Sequence, residues 1–292
     1  MERIASPKKT KEAVAKHNFR FSKSLGQNFL IDQNIITKII DGAGIKADEN
    51  VLEIGPGIGS LTQELAERAK KVVAVEIDKS LIPILKETLQ DKNNVEVINE
   101  DILKVDINKL ITEEFGDGDV KVIGNLPYYI TTPIIMKCLE DKAPIKAIVI
   151  MIQKEVADRM KAKPNTKDYG ALSVAVQYYC EVENIVNVPP SVFIPQPKVD
   201  SSVIKLNVLE EPRVKVASEE IFFGIVKDSF GKRRKTLLNS LSSGNLQLNK
   251  DLIREVFTEC GIDEKRRGET LSLDEFALLA NEIFKKTQGL KQ

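Results

Sequence analysis

Hydrophobic and polar positions change their spacing repeatedly between residues 50 and 153. Short apolar runs rich in Val and Ile predict strands, and the stretches between them, with apolar residues every three or four positions, predict helices. The predicted strands are Val51–Ile54, Lys71–Ile77, Val95–Asn99, Val120–Gly124 and Ala147–Ile152. The predicted helices are Ser60–Arg68, Lys79–Leu89, Ile107–Glu114 and Thr131–Leu139. This alternation is typical of an α/β protein with a doubly wound, mostly parallel sheet that is covered on both faces.

The pattern changes beyond the stretch 155–161. Tyr169–Cys180 is expected to be a helix, whereas Val182–Val188 and Ser201–Val208 are expected to be strands on either side of a proline-rich loop. Two strands joined in this way are able to pair antiparallel at an edge of the sheet. The sequence therefore predicts an antiparallel edge on the otherwise parallel sheet.

The C-terminal part of the chain has a helical pattern. It follows the polar stretch 210–212, and its expected helices are Glu219–Ser242, Lys250–Cys260 and Ser272–Lys286. Gly261 fits a helix C-cap, and Ser272 with Glu275 three residues later fits a capping box. We therefore expect two domains, a ligand-binding α/β domain over 1–210 and a small domain of about three to five helices over 211–292.

Composition narrows the classes of protein that are possible. The 292 residues are 42% hydrophobic and 29% charged, which is typical of a globular protein. The sequence has no apolar signal core at its N-terminus and no apolar run of about 20 residues, so we expect a cytoplasmic protein without a membrane partner. Three widely spaced cysteines and a single histidine argue against a disulfide framework and against a bound metal.

Charge is balanced overall, with 43 basic and 43 acidic residues, but it is unevenly distributed. Basic residues predominate in the first 24 positions and recur in two later clusters. These clusters are Lys232, Arg233, Arg234 and Lys235, followed by Lys265, Arg266 and Arg267. Lysine and arginine are commonly no more than solvated surface charge, but three clusters on a neutral chain favour a basic face that binds a polyanion.

A glycine-rich turn follows the first predicted strand, at Gly55, Gly57 and Gly59. In a doubly wound sheet such a turn lets a ligand approach the backbone. Three acids lie near successive strand ends: Glu53 just before the turn, Glu76 about 20 residues beyond it, where a carboxylate binds a ribose, and Asp101, which suits an adenine amino group. Any one of them is also explained as a cap or a surface ion pair, but together they favour a ligand site.

The tetrapeptide Asn125-Leu126-Pro127-Tyr128 directly follows the fourth predicted strand. It combines an amide, a proline that fixes the backbone and an aromatic ring. The Asn125 side-chain carbonyl and the Leu126 backbone carbonyl are suited to accept hydrogen bonds from an adenine amino group, while Tyr128 stacks on the base. The alternative is a strand end with a core tyrosine. A nicotinamide cofactor also suits the glycine turn, but the GxGxG spacing and this tetrapeptide favour S-adenosylmethionine.

Six segments together resemble the dimethyladenosine transferases of small-subunit ribosomal RNA, and the match covers nearly the full length. The segments are 23–30 (KSLGQNFL), 51–57 (VLEIGPG), 125–129 (NLPYY), 193–201 (FIPQPKVDS) and two stretches of the helical domain, 233–237 and 267–272. The helical stretches separate this family from its nearest relatives, the macrolide-resistance methylases of large-subunit RNA. The resemblance implies cofactor contacts at Asn28, Leu30, Gly55, Glu76, Asp101 and Asn125. We add Gly57, which lies in the glycine turn, and Glu53, which lies just before it.

The resemblance also implies an activity. An enzyme of this family transfers methyl groups from S-adenosylmethionine to N6 of two adjacent adenines near the 3′ end of small-subunit RNA, within an assembling subunit, and leaves S-adenosylhomocysteine. In this view Asn125 and Leu126 hold the amino group, Pro127 fixes the turn, and Tyr128 and Phe193 cover the two faces of the base. Phe193 is otherwise explained as a core residue. No DNA partner is expected.

Two other functions remain open at this point. One is adenine methylation of large-subunit RNA, with DNA adenine methylation more distant, and the other is a non-enzymatic role in ribosome assembly on the same fold. We expect RNA binding by Lys232, Arg233, Arg234 and Lys235, because a cluster of cations binds phosphates without reading sequence.

Overall fold

A computed structural model of the chain describes residues 3–22, 25–116, 118–232 and 234–289, with the side chains of 288 and 289 excepted. The chain divides into two compact units, 1–157 with 182–208 and 158–181 with 209–292. The boundary expected near residue 210 lies beside the junction at 208 and 209, but the segment 158–181 groups with the C-terminal unit. The division of functions between two domains stays a prediction.

Nine strands are present in the described residues. They are β1 (Phe29–Leu30), β2 (Asn50–Ile54), β3 (Lys71–Val75), β4 (Val95–Ile98), β5 (Val120–Asn125), β6 (Ile145–Gln153), β7 (Cys180–Val188), β8 (Phe193–Ile194) and β9 (Ser201–Val208). Seven of them form one sheet of order β4-β3-β2-β5-β6-β9-β7. The first five strands in this order, β4, β3, β2, β5 and β6, each pair parallel with the next. Strand β9 pairs antiparallel with β6. The predicted doubly wound sheet with an antiparallel edge region is confirmed.

Twelve α-helices are present in the described residues. They are α1 (Pro7–Lys16), α2 (Gln33–Ala43), α3 (Ser60–Arg68), α4 (Ile82–Thr88), α5 (Ile107–Phe115), α6 (Tyr128–Glu140), α7 (Lys154–Met160), α8 (Ala171–Tyr179), α9 (Glu219–Gly231), α10 (Leu237–Ser242), α11 (Lys250–Cys260) and α12 (Leu273–Gly289). None of the described helices is both long and apolar enough to cross a bilayer.

The strands position the site because the chain changes direction where they end. Strand β2 is buried along its whole length and lies between β3 and β5. Helices α2 and α3 contribute Ile36, Leu61 and Leu65 to a hydrophobic cluster on one face of the sheet. Burial of such side chains contributes about 1.5–3 kcal/mol each, so the central strands form a rigid base for the turns at their carboxyl ends.

Several helix predictions need correction. The expected helix Lys79–Leu89 is a short 3₁₀ turn, Lys79–Leu81, followed by α4. The expected helix Glu219–Ser242 is wrong as one element, because it ends at Gly231 and resumes at Leu237. The hydroxyl of Thr236 caps the new helix, and a run of adjacent cations lies in the break. Like charges and an N-capping threonine both favour a chain break over a continuous helix.

Three helices were not predicted, α1, α2 and α7. Asp32 caps α2 through its carboxylate, and Gly44 ends the helix in the left-handed conformation at φ 60°. Four isoleucines between these caps bury one face of the helix, so its signals were present in the sequence. Helix α1 has a weaker apolar face and is tied to the unit by the bond from the Ile4 N–H to Gln63 Oε1, 3.0 Å.

The second unit has its own core. The ring of Tyr178 packs against those of Phe222 and Phe223, with centroids 5.0 and 5.2 Å away. The predicted capping box is confirmed, since the Ser272 N–H donates to the Glu275 carboxylate at 2.8 Å and the Glu275 N–H to the Ser272 hydroxyl at 3.2 Å. Gly261, at φ 65°, ends α11 as expected.

Candidate active site

One cavity of about 310 Å³ lies at the carboxyl ends of the parallel strands of the first unit. Its walls come from the segment before and including β1, from the turns after β2 to β5, and from β8. All of the predicted catalytic and cofactor-binding residues line it: Asn28, Leu30, Glu53, Gly55, Gly57, Glu76, Asp101, Asn125, Leu126, Pro127, Tyr128 and Phe193. The fold thus brings together residues that are far apart in the sequence, while their individual roles stay predictions.

The glycine turn after β2 is tightly enclosed. Gly55, Gly57 and Gly59 have φ values of 69°, 61° and 89°, a region that side-chain-bearing residues rarely adopt. A Cβ atom at Gly57 would lie 3.2 Å from the Phe29 ring, and one at Gly55 would lie 3.1 Å from Leu126 Cδ2. Glycine is therefore required both for the backbone conformation and for space. The turn delivers the uncapped N-terminus of α3 to the cavity wall, where backbone N–H groups favour an anion.

Glu76 holds this turn against the end of β3. Its carboxylate accepts the Gly57 N–H at 3.1 Å and the Asp78 N–H at 2.8 Å. Burial raises the pKa of Glu76 to about 7 despite these two hydrogen bonds. Each carboxylate oxygen retains a further lone-pair site, so the side chain is able to accept hydrogen bonds from a ligand.

Glu53 is an acid with an unmet hydrogen-bonding requirement. It is 1% exposed, and burial raises its pKa to about 8. Its Oε2 and the Ser60 hydroxyl are buried atoms of the cavity wall without a hydrogen-bond partner among the described residues. Unpartnered buried polar atoms are rare because each costs about 1–3 kcal/mol. Two of them in residues that line the cavity leave hydrogen-bonding capacity there that the described residues do not satisfy.

Replacing Glu53 with Gln tests this account of the ligand-free protein. Because the folded state raises the pKa of Glu53, it binds the proton more tightly than the unfolded chain does, and stability falls as pH rises from about 4.5 to about 8. One such proton changes the free energy of unfolding by up to about 1.4 kcal/mol per pH unit. In denaturant titrations the free energy of unfolding of E53Q should therefore increase relative to that of the unmodified protein as pH rises. The surface variant Glu113→Gln is the control, and a constant difference for E53Q would contradict the prediction.

Part of the cavity lining is apolar. Ile77 and Leu103 follow β3 and β4, and they are 50% and 39% exposed although they are large hydrophobic residues. Asp101, which follows β4, accepts the Leu103 N–H at 3.1 Å through Oδ1. A planar ring with an amino edge fits such a wall, because its faces contact the aliphatic side chains while its edge reaches the carboxylate.

Asn125 is oriented by the segment that precedes β1. Its side-chain Nδ2 donates to the backbone carbonyl of Asn28 at 3.1 Å. A carbonyl only accepts hydrogen bonds, so the NH₂ group must face Asn28 and the Oδ1 atom must face away from it. Asn28 is itself held by the bond from its Nδ2 to the Gly26 carbonyl, 3.0 Å. The side-chain oxygen of Asn125 is therefore positioned as an acceptor at the cavity.

The two aromatic residues differ in their environment. Tyr128 is the first residue of α6, half-buried, and its hydroxyl lies 2.7 Å from the Ser201 Oγ. Burial also raises the pKa of Tyr128. Phe193 is 2% exposed, pairs with Leu30 across β1 and β8, and belongs to the hydrophobic cluster of the sheet while lining the cavity. Stacking by either ring stays a prediction, and for Phe193 the packing also supports the alternative of a core residue.

Several residues of the site were not found from the sequence. Gln27 donates to Asp78 Oδ2 at 2.6 Å, which ties the segment before β1 to the turn after β3. Ser60 and Ser201 contribute hydroxyl groups to the wall and to Tyr128. Serine has no pattern that would mark it in a sequence. Gln27 and Ser201 belong to segments that resemble the family, 23–30 and 193–201, although no role could be assigned to either residue there.

The basic residues expected to bind RNA lie in the second unit. Lys232, Arg234 and Lys235 are exposed in the break between α9 and α10, and Lys232 Nζ donates to the Ser243 Oγ at 2.8 Å. Arg233 lies outside the described residues, as do Lys23 and Ser24 of the N-terminal motif. In the third cluster, Arg266 is engaged by Glu275. RNA binding by these residues stays a prediction.

Two solved structures of RNA methyltransferases share this architecture. A dimethyladenosine transferase from Plasmodium falciparum is 30% identical, with a TM-score of 0.76 over 89% of this chain and 98% of that one. The 23S rRNA methyltransferase ErmE is 29% identical, with a TM-score of 0.66 over 88% of this chain and 99% of its own. The fold is that of the class I methyltransferases.

Sequence comparison is more specific. The family model described as ribosomal RNA adenine dimethylase matches residues 18–285, so the chain belongs to that family. A protein of Alkaliphilus oremlandii named ribosomal RNA small subunit methyltransferase A is 65% identical over 286 residues, which are 98% of this chain and 100% of that protein. A protein of the same name from Clostridioides difficile is 60% identical over 99% of this chain and 100% of its own. The resemblance drawn from the motifs is confirmed.

Proposed function

We propose that this protein uses S-adenosylmethionine to dimethylate N6 of two adjacent adenines near the 3′ end of small-subunit ribosomal RNA. The observation that carries the proposal is the orientation of Asn125, whose side-chain oxygen is positioned as an acceptor in a cavity suited to a nucleoside cofactor. Membership of the adenine dimethylase family and the names of its relatives support the choice of substrate. The partner is an assembling small subunit, and we place the reaction in the cytoplasm with the ribosome.

The residues present fit S-adenosylmethionine. The apolar wall of Ile77 and Leu103 suits its adenine, Glu76 its ribose hydroxyls, and the unpartnered Glu53 oxygen a cationic group. The glycine turn and the uncapped N-terminus of α3 suit its carboxylate. When bound, this cofactor supplies an electrophilic methyl group on a positively charged sulfur. The protein's task is then mainly alignment of the amine with that group.

The turn after β5 supplies this alignment. An adenine amino group has two N–H donors, and we assign Asn125 Oδ1 and the Leu126 carbonyl as their acceptors. Two acceptors on the same nitrogen favour a pyramidal amine whose lone pair is available for attack. The amine loses its proton after transfer, so no side chain needs to act as a general base. Pro127 fixes the position of the Leu126 carbonyl, because its φ is limited to −55° at the start of α6.

A base must leave its stack to reach this turn, and single-stranded segments are the cheapest source. Tyr128 is assigned to one face of that base and Phe193 to the other. We assign Lys232, Arg233, Arg234 and Lys235 to phosphate contacts, which raise affinity in a salt-dependent way. The shape of the assembling subunit then selects the nucleotides.

The direct test is methylation of unmodified small-subunit particles with labelled cofactor, followed by mapping of the labelled nucleotides. We expect two neighbouring N6,N6-dimethyladenosines near the 3′ end of the small-subunit RNA. Purified large subunits and naked large-subunit RNA are the control substrates. Labelling of the large-subunit RNA alone would contradict the proposal in favour of the related large-subunit activity, and absence of any labelling would favour a non-enzymatic assembly role.

Ser201 and Ser202 offer a matched pair of variants for the role of Tyr128. Both serines are buried at the start of β9, and each makes a 2.7 Å side-chain hydrogen bond, Ser201 with Tyr128 and Ser202 with Asn187. Loss of either bond should cost about 1 kcal/mol of stability. Only Ser201→Ala frees the ring that covers the base, so only this variant should lower the turnover number, by roughly tenfold if the lost alignment is worth about 1.4 kcal/mol.

The measurement is the turnover number and KM of both variants on small-subunit particles, together with that of Tyr128→Phe, which removes the same bond from the other side. We expect the double variant S201A/Y128F to be no slower than the slower single variant, because both changes remove one interaction. Equal loss of turnover in S201A and S202A would indicate a purely structural bond.

A further inference from the structure

We infer that Tyr129 is a stacking platform for the nucleotide beside the adenine being methylated. The inference rests on the proposed function and extends it from the target base to its neighbour. Tyr129 follows the tetrapeptide that holds the target, and it lines the mouth of the same cavity. Neither the motif nor the mechanism gives this residue a role.

The exposure of Tyr129 is unusual for its residue type. Five large hydrophobic residues are exposed among those that the structure describes, and Tyr129 is the aromatic one and the most exposed, at 60%. Ile77 and Leu103, two of the other four, belong to the wall assigned to the cofactor. A tyrosine ring is stabilised by burial of roughly 150–250 Å², so a ring left open at the edge of a binding cavity indicates a partner that covers it.

The ring is nevertheless supported. A Cβ atom at Gly26 would lie 3.5 Å from Tyr129 Cε1 and 3.8 Å from its Cδ1, and 3.3 Å from Pro127 Cβ. The Gly26 backbone, at φ 57°, therefore passes directly beside this edge of the ring. A contact of this kind restricts rotation of the Tyr129 side chain and leaves most of the ring surface exposed. An ordered, open aromatic surface costs less entropy on binding than a mobile one.

Tyr128 and Tyr129 present different directions from the first turn of α6. Successive helical residues are about 100° apart around the axis. Tyr128 accordingly is half-buried with its hydroxyl at Ser201, whereas Tyr129 is exposed at the rim. The two rings thus suit two consecutive nucleotides, with one base inside the cavity and the next at its mouth.

Removal of the target adenine from its stack explains why such a platform would be useful. Extrusion of one adenine leaves its neighbour without a stacking partner on that side, which costs a few kcal/mol. An aromatic side chain at the rim restores stacking without reading the base, since every base has a π face. Because stacking does not depend on the identity of the base, the same ring serves while either target is in the cavity.

The test compares Tyr129→Ala and Tyr129→Phe with the unmodified protein on reconstituted small subunits. We expect Y129A to raise KM for the particle by roughly 5- to 150-fold, the range that corresponds to loss of one base–aromatic stack, with a smaller change in the turnover number. Y129F keeps the ring and should remain within about threefold of the unmodified protein if stacking carries the effect. The dissociation constant for S-adenosylmethionine should be unchanged in both variants.

A substrate change separates stacking from a structural effect. Particles are reconstituted with a synthetic 3′ segment that has an abasic nucleotide beside a single target adenine. The unmodified protein should bind these particles as weakly as Y129A does, and Y129A should show no further loss. A Y129A defect that persists on the abasic particles, or a KM unchanged on the normal ones, would overturn the inference. Labelling by the unmodified protein reports separately on the proposed function.

Discussion

Replacing Asn125 with Ala is expected to lower the turnover number roughly 10²–10³-fold, the loss that follows removal of one fixed hydrogen-bonding group from a transition state. The physical reason is the direction of the amide. Its NH₂ group is held by the Asn28 carbonyl, so its oxygen is fixed as an acceptor before the amine arrives. A preoriented acceptor needs no reorganisation when the nitrogen begins to attack, and water filling the space left by Ala has no such fixed direction.

Asn125→Asp separates the two halves of this amide. The carboxylate keeps an acceptor for the amine but cannot donate to the Asn28 carbonyl, and its charge is repelled by that oxygen. We therefore expect N125D to lose turnover as well, although it retains an oxygen. If the acceptor alone mattered, N125D would stay close to the unmodified protein.

A matched asparagine controls for stability. Asn94 Nδ2 donates to the carbonyls of Ala66 and Ala69 at 2.9 and 3.0 Å and does not line the cavity. Asn94→Ala should cost stability comparable to that of N125A, about 1–2 kcal/mol, without loss of turnover. Both are measured by denaturant titration and by labelled methyl transfer to small subunits at saturating cofactor. Normal turnover by N125A would remove the turn after β5 from the mechanism.

The sequence predicted the parts of the fold that depend on local periodicity. The five parallel strands and the antiparallel edge followed from runs of mostly apolar residues, because strands buried on both faces are rich in Val, Ile and Leu. The glycine turn and the acids at the strand ends were found because parallel strands bring their carboxyl ends to one edge. Glu53, Glu76 and Asp101 line one cavity for this reason.

Contacts between distant segments could not be predicted in the same way. The bond between Tyr128 and Ser201 spans 73 positions, and that between Asn125 and Asn28 spans 97. Neither serine nor asparagine has a periodic signal, and the partner of each is set by tertiary packing. Asn28 and Leu30 were placed at the site by family resemblance alone. The structure adds a contact for Asn28, whose backbone carbonyl accepts the Asn125 side-chain amide and so orients it.

The wrong helix Glu219–Ser242 shows a limit of another kind. Helical periodicity continues across the break, but the cations around Lys232 and the capping hydroxyl of Thr236 favour separate helices. Charge repulsion and capping contribute a few tenths to about 1 kcal/mol each, which periodicity counts ignore.

Replacing Glu76 with Gln should raise the dissociation constant for S-adenosylmethionine roughly 10- to 100-fold, in keeping with loss of hydrogen bonds to a charged group. The carboxylate accepts N–H groups from both Gly57 and Asp78. A glutamine accepts through its oxygen alone, so its NH₂ must face one of these donors. The glycine turn and the proposed ribose contact are then disturbed together, while turnover at saturating cofactor should fall much less.

Two observations make this result specific to the site. Glu49 forms a partly buried ion pair with Lys121 at 2.6 Å and does not line the cavity, so Glu49→Gln should lower stability but leave cofactor affinity unchanged. Burial raises the pKa of Glu76 to about 7, so the carboxylate gains a proton, and the unmodified protein loses affinity, as pH falls below that value. E76Q cannot titrate at this position, and its affinity should vary less with pH. The affinity for S-adenosylmethionine is measured by calorimetric titration between pH values of about 6 and 8. If it varies with pH equally in E76Q and in the unmodified protein, the pH dependence belongs to another group.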